Sequence, residues 1–173
     1  MTSSLLQAAI DRAPADRIAL DDGSRAVTYG ELLALLPAER RRCAGLGDRH
    51  ALLADNGVAW AITDLALHLE RLVSVPLPGY FTDAQLTHLL DDAGIDCLHT
   101  DDPERARRLL PGWTAGVASP VTGLACFQRR LDQRARAALQ SGTIKVTYTS
   151  GSTAEPKGVC LGADDLEAVA ASA

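Results

Sequence analysis

Several absences narrow the chain before any motif is considered. It has no C-x-x-C pair, and Cys43, Cys97, Cys126 and Cys160 lie far apart with no histidine at metal-ligand spacing. That argues against a zinc-ribbon pattern and a disulfide framework, and leaves reduced, mostly buried thiols. No apolar run approaches the roughly 20 residues that span a bilayer. The opening MTSSLLQAAIDRAPAD lacks a basic segment followed by an apolar one, so neither a membrane span nor a secretory leader is expected and the expected location is cytoplasmic. There is no basic excess either. The net charge is -5, and the clusters Arg40-Arg41-Arg42, Arg105/Arg107/Arg108 and Arg129-Arg130 are interleaved with acids; they read as solvated helix faces, and no nucleic-acid partner is expected. Aromatics are only 4% of the chain. Trp60 and Trp113, without alternating basic neighbours, read as packing residues rather than stacking platforms. There is no internal repeat and no low-complexity tract.

What is present is a chain of 173 residues, 47% hydrophobic and 23% charged, long enough for one substantial core. Helix starts are marked by chemistry. Ser4-x-x-Gln7, Thr28-x-x-Glu31 and Thr82-x-x-Gln85 fit capping boxes, and Phe81 with Leu86 fits the accompanying hydrophobic staple. Leu86, Leu89, Leu90 and Ala93 then form one apolar face that Gly94 ends. Residues 58–71 carry Val58, Ala61, Ile62, Leu65 and Leu69 at helical spacing behind Asn56 as cap. Asp102-Pro103-Glu104 opens a short helix closed by Pro111-Gly112, residues 111–122 read as a loop, and a helix is expected around 131–139. Residues 51–55, 72–77, 95–99 and 144–149 read as strands, the first three buried on both faces. The alternation predicts a three-layer α/β arrangement: a mainly parallel sheet with right-handed crossovers, flanked by helices.

One segment stands apart. Residues 147–159 read TYTSGSTAEPKGV. Thr149, Ser150, Gly151, Ser152 and Thr153 offer hydroxyls and flexible amides directly after a buried strand, and Lys157 follows within reach, which together make a donor set for a polyanion. The order Pro156-Lys157-Gly158 is not the Gly-Lys-Ser/Thr of a Walker A loop, so strand, loop, strand is expected. By composition an ordinary polar turn remains the alternative. His50, His68, His88 and His99 are scattered, with no Ser or Cys partner that spacing ties to them, and read as satisfied or exposed. Asp91-Asp92 and Asp101-Asp102 read as helix-end and capping residues rather than metal ligands; no metal site is assigned.

At Thr149 to Gly158 the sequence resembles the signature loop of the adenylate-forming superfamily, which includes acyl- and aryl-CoA synthetases, nonribosomal adenylation domains and luciferases. Val27-Thr28-Tyr29-Gly30-Glu31-Leu32 is similar to its early T-Y-x-E-L element, and Asp55-Asn56-Gly57, Val75-Pro76-Leu77-Pro78 and Thr82 to Gly94 follow in the same order. Two departures stand out: Ala154 replaces a usual second glycine, and Gly162 to Leu166 lacks a frequent histidine.

The resemblance implies an incomplete N-terminal domain over 1–173 that ends just past a phosphate-binding loop at 148–158, the alanine-rich terminus offering no natural stop. It implies that the whole enzyme converts a small-molecule carboxylic acid and ATP, with magnesium, to an acyl-adenylate and passes the acyl group to coenzyme A or a carrier thiol. It places Thr149, Ser150, Gly151, Ser152, Thr153, Lys157 and Gly158 on the nucleotide phosphates, with Lys157 catalytic. The 173 residues alone are then expected to be inactive and to self-associate. The alternatives are a nonribosomal-type adenylation domain, a non-catalytic module retaining the fold, and an unrelated α/β phosphate-binding domain.

Overall fold

Capped helices and short apolar strands alternate, as the sequence predicts, in the computed structural model, which describes residues 5–129, 138–149 and 157–171. Helix α1 (Leu5–Arg12) and an antiparallel hairpin, β1 (Ile18–Asp21) with β2 (Ala26–Thr28), precede α2 (Tyr29–Ala44). Then come β3 (Arg49–Leu53), α3 (Val58–Leu69), β4 (Val73–Pro76), α4 (Asp83–Asp92), β5 (Cys97–Thr100) and α5 (Pro103–Leu109). The chain continues through β6 (Thr114–Ala115), β7 (Ala125–Gln128), β8 (Thr143–Thr149), β9 (Lys157–Gly162) and α6 (Ala163–Ala171).

The main sheet has the order β6-β7-β5-β3-β4-β8-β9. Its four central strands are parallel, whereas β7 and β9 run antiparallel to their inner neighbours, as does β6 to β7. β3 leads to β4 on one side, and β4 leads back past β3 to β5. Right-handed crossovers in opposite directions place their helices on opposite faces. Accordingly, residues of α1, α2 and α3 such as Ile10, Leu36 and Ile62 share one core with Leu52, while Leu86 and Leu89 of α4 and Leu109 of α5 share another with Ala51 and Leu53. The two-residue alternation along β3 therefore feeds both cores, and the expected three layers are present.

The capping boxes at Thr28/Glu31 and Thr82/Gln85 form with both reciprocal bonds, and Asp102 accepts from the Arg105 amide to start α5. Gly94 takes the left-handed conformation (φ 61) just past α4. At the corresponding place after α3 stands Arg71 (φ 56), a conformation that costs a non-glycine residue roughly 1–2 kcal/mol. The Ser4 cap and residues 131–137 of the expected late helix lie outside the described residues; Ala138 to Gln140 are not helical.

Three expectations change. Asn56 is not the cap of α3: Gly57 is, with no side-chain bond of its own. Asp22, at the turn of the β1–β2 hairpin, supplies the missing acceptor, its Oδ2 receiving the Val58 amide at 2.9 Å. A Cβ at Gly57 would come within 3.0 Å of that oxygen, so a side chain there would crowd out the cap. The region 111–122 is not all loop, since β6 lies in it and pairs with β7. Finally, β7 and the β1–β2 hairpin have no counterpart among the sequence-predicted strands.

Asp22 carries a testable consequence. Its carboxylate accepts from the Val58 amide, the Ser24 side chain and the Arg25 and Ser24 amides, which hold it far below its ordinary value of 3.8. A depressed carboxyl contributes its full stability above the unfolded value and loses it as pH falls through the folded one. Asp22→Asn should therefore lower the thermal midpoint at pH 7 and flatten the loss of stability seen below pH 3.8. Melts of both proteins across pH 2–7 decide this; parallel curves would show that the cap contributes nothing.

Candidate functional site

The singled-out segment springs from the carboxyl end of β8, a strand parallel to β4, at the edge where open α/β sheets take their ligands. A strand lies on each side of it: Thr149, the last residue of β8, is paired with Lys157, the first of β9. Ser150, Gly151, Ser152 and Thr153 lie outside the described residues, as do Ala154 and Pro156. Lys157 is exposed, and Gly158 sits opposite Tyr148. A Cβ on Gly158 would lie 3.1 Å from Tyr148 Cε1 and 3.2 Å from Val146 Cγ1, so this glycine serves close approach of the Tyr148 ring.

The surrounding edge is fastened by side chains that sequence reasoning did not connect. Tyr148 donates its hydroxyl to Asp92 Oδ2 at 2.6 Å; burial and then this bond push the phenol well above its usual range. On the opposite face of β8, Lys145 Nζ meets Asp64 Oδ2 at 2.7 Å, and Ser74 donates to Asp64 Oδ1 at 2.6 Å. Arg105 bonds Asp83 and the carbonyls of Gly79 and Phe81, immobilising the segment after β4. Asp101 accepts the Asp55 amide, joining the segments that follow β5 and β3. The aspartates read as helix-end and capping groups thus serve as tethers: Asp102 caps α5, Asp91 pairs with Arg129 and Asp92 holds Tyr148. Trp113 and Trp60 pack beneath Arg129 and Lys145.

A profile of the family described as AMP-binding enzyme matches residues 6–173. A long-chain-fatty-acid–AMP ligase, FadD23, from Mycobacterium tuberculosis is 32% identical over 134 residues, covering 72% of this chain and 22% of the ligase. Among solved structures, a malonyl-CoA ligase complex with methylmalonyl-CoA and AMP is 30% identical, with a TM-score of 0.58 over 91% of this chain and 32% of that one. The O-succinylbenzoate coenzyme A synthetase of Bacillus subtilis, in complex with AMP, has a TM-score of 0.64 at 23% identity, over 95% of this chain and 44% of that one; at that identity the likeness is one of fold. The chain therefore spans about a fifth of the ligase's length.

Away from this edge, under α2, lies a second polar group that the sequence left scattered. Glu39, fully buried, accepts from Arg42 Nε and Nη2, from Ser119 Oγ at 2.6 Å and from Thr63 Oγ1. Arg42 Nη2 also reaches His99 Nδ1 at 3.1 Å, His99 Nε2 reaches His50 Nδ1 at 2.9 Å, and His50 Nε2 reaches the Gly47 carbonyl at 3.0 Å. A guanidinium only donates. His99 Nδ1 must therefore accept, its Nε2–H donates to His50, and His50 donates to Gly47, so both rings are neutral.

His50 Nδ1, Cys97 Sγ and His99 Nε2 converge within 4.8 Å, but in this arrangement the His99 nitrogen carries a proton rather than offering a lone pair to a cation. The Cys97 thiol stays protonated, held by its hydrogen bond to Cys126 and by burial. The cluster was invisible in sequence because β3 and β5 bring His50 and His99 together from 49 residues apart.

Burial pushes His50 from 6.5 down to about 4, and His99 well below 6.5. The unfolded chain then binds protons more readily than the folded one, so stability is full above pH 6.5 and falls as pH drops toward 4. His50→Asn should remove one proton's share of that slope, about 1.4 kcal/mol per pH unit. Urea unfolding at pH 7.5, 6, 5 and 4.5 measures it; identical slopes in variant and wild type would contradict the neutral pair.

Proposed function

The chain belongs to the AMP-binding enzyme family, and on that premise we propose that residues 1–173 form the N-terminal part of an ATP-dependent carboxylic acid ligase, reaching just past its phosphate-binding loop at 148–158. In this reading a carboxylate oxygen attacks the α-phosphorus of ATP, the bond to the bridging oxygen breaks, and pyrophosphate leaves as the acyl-adenylate forms. Charge accumulates on the departing phosphates. Thr149, Ser150, Gly151, Ser152, Thr153 and Gly158 would hold them, and Lys157, the catalytic residue in this reading, would neutralise the growing charge as a flexible point cation.

The observation that supports the reading is the pairing of Thr149 with Lys157 at the carboxyl end of a parallel strand, which brings the backbone on either side of the singled-out segment together at one edge of the sheet. Magnesium, when bound with the nucleotide, supplies further charge neutralisation. Coenzyme A as acyl acceptor follows from the relatives' chemistry, and no residue of this chain is assigned to either. The four free cysteines, three of them buried, fit a cytoplasmic location, and no described helix is long and apolar enough to cross a membrane.

The direct test is binding of inorganic pyrophosphate, with and without magnesium, by calorimetry. Lys157→Ala should weaken it about tenfold or more, the scale of one charge-assisted contact, while leaving the thermal midpoint unchanged because the residue is exposed. Equal affinity in the two proteins would remove Lys157 from the site. In the same assays the 173-residue chain, spanning 22% of the mycobacterial ligase, should release no pyrophosphate from ATP when offered carboxylic acids; acid-dependent release would contradict the assignment as a part only.

Self-association is proposed on the outer strand β9, where Val159 is 46% exposed, since an open strand edge with apolar side chains invites pairing. Sedimentation velocity over a hundredfold concentration range should reveal a dimer, and a monomer throughout would overturn this.

A further inference from the structure

We propose that Tyr148, anchored by Asp92, is a positioning residue that fixes where Thr149 and Lys157 stand relative to the rest of the sheet. The role assigned to those two residues rests on the phosphate reading above; the anchoring itself rests on geometry.

The register of β4 with β8 consists of the single pair Ser74 with Lys145, three residues before Tyr148. Toward its carboxyl end β8 pairs continuously with β9, from Val146 with Cys160 to Thr149 with Lys157. The end of the β8–β9 pair at Tyr148–Thr149 and Lys157–Gly158 is therefore a backbone unit that the ladder to β4 does not hold. Side chains hold it instead. The Tyr148 hydroxyl reaches Asp92 Oδ2 at 2.6 Å, one residue before the end of the hairpin strand, and the Tyr148 ring lies so close to Gly158 that a Cβ there would stand 3.1 Å away. One phenol thus contacts β9 through its ring and α4 through its oxygen.

The helix end that carries the anchor is itself braced. Asp92 ends α4, and Arg129 binds the Leu90 and Ile95 carbonyls and the Asp91 carboxylate around that terminus while its guanidinium packs over Trp113. Packing alone does not account for the contact. A phenylalanine would fill the same volume, and only the hydroxyl gives the ring a direction. Lys145 is braced on the opposite face by Asp64, nearer the start of the strand, and serves as a contrast because it lies at the rung the ladder already fixes.

The test uses Tyr148→Phe, Asp92→Ala and Asp92→Asn in the 173-residue chain, with amide hydrogen exchange and affinity for inorganic magnesium pyrophosphate as readouts. Tyr148→Phe and Asp92→Ala should speed exchange at the Thr149 and Lys157 amides but not at Ile144, and weaken pyrophosphate binding by about three- to tenfold. Asp92→Asn keeps an acceptor oxygen and should restore both. Combined with Lys157→Ala, Tyr148→Phe should add less than its separate effect, because both act on the same contact; full additivity would reduce Tyr148 to a packing residue and overturn the proposal.

Unchanged exchange and unchanged affinity in Tyr148→Phe would also overturn the proposal while leaving the phosphate reading intact. Faster exchange in a chain that binds no pyrophosphate would uphold the anchoring and sink the phosphate reading. Should Tyr148→Phe fail to fold, the Asp92 pair decides on the same criteria.

Discussion

A carboxylate with no solvent exposure sits where α2 crosses the sheet, and much of that half of the molecule is arranged around it. An unpaired buried charge costs several kcal/mol, so Glu39 requires Arg42 one turn later on the same helix. Arg42 in turn requires acceptors that water does not provide, and His99 is one of them. The remaining oxygen capacity of Glu39 is taken by Ser119 and Thr63. Five segments are thereby held in one geometry: α2, α3, the turn before β7, and through the two histidines β5 and β3. The opposite face, under α4 and α5, has an apolar core of Leu86, Leu89, Leu98 and Phe127 among others. Apolar packing tolerates small shifts that a directional polar network does not, so the Glu39 cluster adds positional constraint to the apolar core that α1, α2 and α3 share.

This division explains which features could be read from sequence. Capping boxes at Thr28 and Thr82 and the helix start at Asp102 are local chemistry, with donor and acceptor three residues apart, and the sequence alone places them. The central strands were legible as short, mostly apolar runs between capped helices, even though His50, Ser74 and His99 interrupt them. The cap of α3 was not, since its acceptor, Asp22, is 36 residues away from Val58 and Asn56 is the nearer plausible group. The short strands β6 and β7 and the β1–β2 hairpin lack strong periodicity and are specified by the partner they pair with. The polar cluster was illegible for the same reason: nothing in the spacing of Glu39, His50, His99 and Ser119 reveals that register brings them together.

Of the candidate site, the sequence made the donor chemistry legible and the fold supplied the placement. Thr149 and Lys157 were named as residues of one loop; that they face each other across the last rung of a hairpin, at the carboxyl edge of parallel strands, is a property of topology. Tyr148 lies within the singled-out segment yet drew no attention, because a tyrosine beside a hydroxyl-rich run gives no sign of a carboxylate 56 residues earlier in the chain.

Electrostatic assistance to a departing phosphate works only if the donors are already in place, since any reorganisation during the reaction is subtracted from the stabilisation they provide. On the proposed reading, the tethers at the carboxyl edge of this sheet would meet that requirement. The segment after β4 is held by Arg105, those after β3 and β5 by Asp101, and the end of β8 by Asp92. Each tether is a charged side chain bonded to backbone or to a hydroxyl, so it fixes direction as well as distance. None of them needs to touch a ligand to matter. Under the proposed reading, donors and frame reside in different residues: the donors are assigned within 149–158, and the frame is the tethered edge of the sheet at which Thr149 pairs with Lys157.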